Sequence, residues 1–173
     1  MFNLRGSKKP DPVDALLRQT LGGQSVLYRL FREALGCDDA GIRRLELTYF
    51  AATVMTVAYL RLGKPPGHLD DYTKRLLERC IPSSGEQIGL RVAAQQYQQR
   101  YAEYSALLTP VFQNFADVQT DDKAGHPAIT LLLHVFECVT GTSAQGRMLD
   151  IAQTAPLIVE FVADHIDFVE TKP

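Results

Sequence analysis

Apolar residues recur at steps of three and four through most of the chain, and no run alternates apolar with polar residues long enough to make a strand. The pattern predicts an all-α fold. Asp11 followed by Pro12 has the form of an N-cap with proline at the first helical position, and Val13, Leu16 and Leu17 continue at helical spacing. This first helix is expected to end near Gly22–Gly23, with a second, amphipathic helix from Ser25 to Leu35 stopped by Gly36. A third runs from Ile42 to Leu62 and ends at Gly63, before a Lys-Pro-Pro-Gly stretch that cannot continue it.

Within the third helix, Leu47 to Leu60 carries no charge. At 1.5 Å per residue the segment reaches about 21 Å, short of the roughly 30 Å of a bilayer core. Its threonines and alanines thin the hydrophobicity further, so 45–62 is predicted to be a near-fully buried central helix with no membrane span.

A short fourth helix, Leu69 to Cys80, has Asp70 and Asp71 in its first turn and basic residues later, and should end at Ile81–Pro82. Ser83 and Glu86 have capping-box spacing and are expected to open a long helix. Its stripe is Leu90, Ala94, Tyr97, Tyr101, Tyr104, Leu108, Val111 and Phe115, with a kink or break at Pro110. Residues 117–127 read as an exposed loop, Pro127 starts a helix that reaches Thr140, and a last helix runs from Ser143 or Gln145 to about Glu170 with a bend at Pro156. The fold expected is a single-domain bundle of six or seven helices over 11–173, behind a flexible N-terminal tail at 1–10.

The chain has 173 residues, 46% hydrophobic and 22% charged, which suits one globular domain. Its net charge of −2 conceals an asymmetry: residues 1–44 hold eight Lys or Arg against five Asp or Glu, and the remainder ten against fifteen. That basic surplus is too small for the phosphate neutralisation of a nucleic-acid binder. Cys37, Cys80 and Cys138 are odd in number and lack zinc-ribbon or redox spacing, so reduced thiols and a cytoplasmic location are expected.

Four groups of residues invite a chemical reading. His134, Glu137 and Cys138 share a face, but a zinc site takes four ligands, or three plus water, and His68, His126 and His165 show no spacing that points to this place, so a core-edge histidine beside an inert buried cysteine is the reading and no cofactor is expected. Tyr97, Tyr101 and Tyr104, with His134 and Glu137, are the candidate lining of a small-molecule pocket. Glu160, Asp164 and Asp167 form an acidic strip that could meet a basic partner. Residues 22–35, Gly-Gly-Gln-Ser-Val-Leu-Tyr-Arg-Leu-Phe-Arg-Glu-Ala-Leu, resemble the recognition-helix end of TetR-type repressors, in which a turn leads into a Leu-Tyr-Arg-x-Phe pattern. That resemblance implies a helix-turn-helix at this place, although the family carries a further helix ahead of the pair and only ten residues precede Asp11 here.

Walker, Gly-x-Gly-x-x-Gly, Gly-x-Ser-x-Gly and His-Glu-x-x-His signatures are all absent. The function expected is therefore a non-catalytic helical interaction module acting through protein–protein contact as a homo-oligomer, a dimer, with a tyrosine-lined ligand-binding bundle as the alternative.

Overall fold

The computed structural model describes residues 11–113 and 127–171, and among them every regular element is helical. The expectations for the 1–10 tail, for Phe115 and for the loop up to His126 lie outside these residues.

Helix α1 spans Pro12–Arg29 and continues through one π turn, Leu30–Ala34. Asp11 caps it, with Oδ1 accepting the Val13 N–H at 3.0 Å, and Gly36 at φ +58° ends the run. The break expected at Gly22–Gly23 does not occur. Gly23 is buried inside the helix because α1 packs there against the rings of Phe161 and His165; a Cβ on it would lie 2.9 Å and 2.8 Å from their carbons. Glycine marks a close approach between helices, and the turn implied by the repressor resemblance is absent.

Helix α2, Arg44–Arg61, has every residue from Leu47 to Tyr59 buried, as its uncharged sequence requires. Helices α3 (Leu69–Ser84), α4 (Leu90–Gln113), α5 (Pro127–Thr140) and α6 (Met148–Thr171) complete the set. Consecutive packing of α1 on α3, α3 on α4, α4 on α5, α5 on α6 and α6 on α1 closes a ring, and α2 touches all five members. Along its buried run a helix surrounded in this way has no face left for charge, and Arg44, Glu46 and Arg61 stand at its ends.

Small residues let the ring close tightly: Ala51, Ala52 and Ala58 are each within 1% of full burial. Thr48 and Thr53 return their hydroxyls to the carbonyls four residues back, and Thr56 shares a hydrogen bond with Tyr97, so the buried polar atoms of α2 are paired. Phe50 meets Tyr104 edge-on at 5.4 Å and stacks on Phe161 at 6.0 Å, tying α2 to α4 and α6.

Two boundaries differ from the expected ones. Helix α3 passes through Pro82 to Ser84 and stops at Gly85 (φ +78°), with Ser83 and Ser84 donating to the Cys80 and Ile81 carbonyls of its last turn. Ser83 and Glu86 make no capping box; Ser84 Oγ instead accepts the Glu86 N–H, and α4 begins at Leu90. Pro110 and Pro156 lie inside α4 and α6. No described helix is long and apolar enough to cross a membrane.

Candidate functional site

The tyrosines of α4 separate once the helix is packed. Tyr97 is buried between Tyr49 and Tyr101, its hydroxyl 3.3 Å from Thr56, and burial pushes its phenol up to about 12. Tyr101 is half-buried. Tyr104 is fully buried a full turn on, edge-on to His134 at 5.7 Å, with its hydroxyl 3.4 Å from Glu46 Oε2. Two clefts, of about 350 and 250 Å³, open elsewhere: one beside Arg43, Glu46, Tyr49, Glu86 and Gln96, the other beside Gln24, Tyr28 and Arg44. Neither is lined by Tyr97, Tyr101 or Tyr104.

Glu137 is exposed and accepts the Ala144 N–H at 3.0 Å, so it closes the connection from α5 to α6 and does not accompany His134. Its place beside His134 is taken by Glu103 of α4, whose Oε2 lies 3.2 Å from His134 Nε2. Cys138 Sγ stands 3.7 Å from the same nitrogen, one helical turn along α5.

Arg100 holds this group together. Its Nε and Nη2 donate to the two oxygens of Glu46 at 2.9 and 3.1 Å, and Nη1 donates to Glu103 Oε2 at 2.8 Å. The cluster therefore draws on three helices: Glu46 from α2, Arg100, Glu103 and Tyr104 from α4, and His134 and Cys138 from α5. Burial pushes the Glu103 carboxyl up, but hydrogen bonds from Arg100 and Gln99 outweigh it and the net shift is down. Burial also raises the Cys138 thiol, against the pull of Tyr104 and Arg100.

Arg100, Glu103 and Glu46 are not among the candidate residues that sequence pattern singled out. Their signal was present: Gln96, Arg100 and Glu103 step by four and three along one side of α4, and Glu46 is the last charge before the buried run.

The geometry decides which chemistry is available. A Cys–His–acid relay needs the thiol on one imidazole nitrogen and the acid on the other. Here carboxylate and thiol converge on the same Nε2, so no relay exists. The three donor atoms lie within 4.8 Å of one another, and no other such group of His, Cys, Asp or Glu is present among the described residues. Glu160, Asp164 and Asp167 form none.

A different feature marks α6. Leu149 is 72% exposed, Met148 50% and Leu157 44%, with Pro156 exposed beside them. Leu149, Gln153, Leu157, Glu160, Asp164 and Asp167 follow one outward strip, apolar over its first turns and acidic over its last. No known-family profile, curated protein or solved structure matches the chain.

Proposed function

We infer that this protein is a non-catalytic helical interaction module that acts through protein–protein contact and associates with a second copy of itself. The observation that carries the reading is the row of exposed large side chains on α6, since a helix whose other faces are buried gains nothing internally from an exposed leucine at 149. A two-fold axis near Gln153 would set Leu149 of one copy against Leu157 of the other. The same axis carries the acidic ends to the rim, where they avoid one another and remain free for a basic partner. Its three free thiols suit the reducing cytoplasm.

Sedimentation velocity across a wide concentration range tests this. The wild-type mass should rise to that of a dimer, while a Leu149→Asp/Leu157→Asp variant stays monomeric with an unchanged helical circular dichroism spectrum. A wild type that remains monomeric throughout overturns the self-association.

A further inference from the structure

Glu103, His134 and Cys138 offer three different donor atoms to one point, and that convergence calls for its own explanation. One proton can join Nε2 to the carboxylate or the thiol to Nε2, so hydrogen bonding engages only one of the two contacts at a time. A cation uses all three donors together.

Two of the three separations have the scale of a coordination sphere, and the third, between Cys138 and Glu103, lies within 4.8 Å. Tetrahedral zinc bonds of roughly 2.0–2.2 Å to nitrogen and oxygen and 2.3 Å to sulfur hold nitrogen and oxygen about 3.3 Å apart, and nitrogen and sulfur about 3.6 Å. The structure has Nε2 to Oε2 at 3.2 Å and Nε2 to Sγ at 3.7 Å. Imidazole, thiolate and carboxylate together match a borderline-soft divalent ion, and they exclude magnesium or calcium, which take oxygen.

Charge supports the same conclusion. Glu46 and Glu103 against Arg100 leave one net negative charge on the cluster when the thiol is protonated. A divalent ion that displaces the Cys138 proton to solvent brings the total to zero. Because Glu46 already engages Arg100 through both oxygens, the guanidinium charge next to the site is compensated. Arg100 and Gln99 each donate to Glu103, orienting the carboxylate as an outer layer of partners does around a ligand.

We propose that Glu103, His134 and Cys138 bind one divalent ion of the zinc type, with a fourth position open to solvent. The side chains of His134 and Glu103 are 33% and 31% exposed, which leaves the outer side of the donor triangle accessible to water or an added ligand.

Cobalt(II) titration of the reduced, chelator-treated protein reads the site directly. One equivalent should bind, with thiolate-to-cobalt charge-transfer absorption in the near ultraviolet and intense visible bands of a four-coordinate ion; zinc should displace it. Cys138→Ser should abolish the charge-transfer band, and His134→Gln and Glu103→Gln should each weaken binding at least tenfold. Glu160→Gln/Asp164→Asn should bind as wild type does. Absence of cobalt uptake by the folded wild type overturns the proposal, and so does a charge-transfer band that survives Cys138→Ser. Because Cys37 and Cys80 are also free thiols, Cys37→Ser and Cys80→Ser should each keep the band, and loss of the band in either overturns the assignment even where Cys138→Ser fails to fold.

Discussion

A single hydrogen atom at position 23 sets how closely α1 approaches α6. An alanine there would push its Cβ into the buried rings of Phe161 and His165, neither of which is a free chain end. Gly23→Ala should therefore destabilise the fold by about 1–3 kcal/mol through overpacking, despite alanine's better helix propensity. Gly22 faces open space in the same helix, and Gly22→Ala should stabilise by roughly 0.5–1 kcal/mol. Urea denaturation of the pair separates packing from propensity at adjacent positions. His165 adds a pH effect. Its Nδ1 lies 2.9 Å from the Phe161 carbonyl, and its buried Nε2 has no hydrogen-bond partner among the described residues. Burial lowers its pKa, against the weaker opposing pull of Phe161 and Asp164. Below the unfolded value of about 6.5 the unfolded chain binds the proton that the folded chain refuses, so stability falls as pH drops through that range. His165→Leu should flatten the melting-temperature profile below about pH 6.5; an unchanged slope refutes the assignment. The sequence displayed Gly23 and His165 plainly, but their contact joins positions 142 residues apart, and no local pattern encodes it.

Between elements, the half-buried ion pair of Glu46 with Arg100 fastens α2 to α4. The side chains are 13% and 23% exposed, so solvent screens them less than a surface pair. Arg100→Met would leave Glu46 and Glu103 uncompensated beside each other, and should cost roughly 2–4 kcal/mol. Adding Glu46→Gln to that variant should restore part of the loss, and a double-mutant cycle by chemical denaturation measures the coupling. Element identity was legible in the sequence because stripes at 3.6-residue period survive any packing arrangement. Element ends were less so. Pro82 falls in the last turn of α3, where Cys80 is anchored in the core and the Ser83 and Ser84 hydroxyls serve the Cys80 and Ile81 carbonyls that the helix end leaves without N–H partners. The glycine pair of α1 looked like punctuation because sequence alone cannot distinguish a glycine required by backbone conformation from one required by a neighbouring helix.

For the whole molecule, a central helix in contact with all five others makes unfolding cooperative, since no ring member can leave without exposing part of α2. Met55→Ala, at a fully buried position of that helix, should cost about 2–5 kcal/mol, whereas Leu149→Ser should shift stability by no more than about 0.5 kcal/mol while weakening self-association. Calorimetry at low protein concentration checks the first difference, and sedimentation the second. If Leu149→Ser unfolds the monomer as severely as Met55→Ala, the exposed row belongs to the fold and not to an interface.

What the sequence determined by itself was the helical class, the burial of the uncharged run from Leu47 to Tyr59 and, among the described residues, the lack of a helix able to cross a membrane, because periodicity, segment length and missing charge depend only on the order of residues; Leu60 and Leu62, counted with the buried run by sequence, are exposed. Tertiary structure decided which charges meet. His134 and Cys138 were visible one turn apart on α5, but helical adjacency nominated Glu137, whose carboxylate caps a loop, while the acid that reaches the imidazole comes from α4. The acidic strip and Leu149 were equally visible, yet only packing shows which stripes on α6 the ring covers and which it leaves in water. Helical periodicity specifies which residues share a face, and the angle at which helices pack against one another specifies what that face meets.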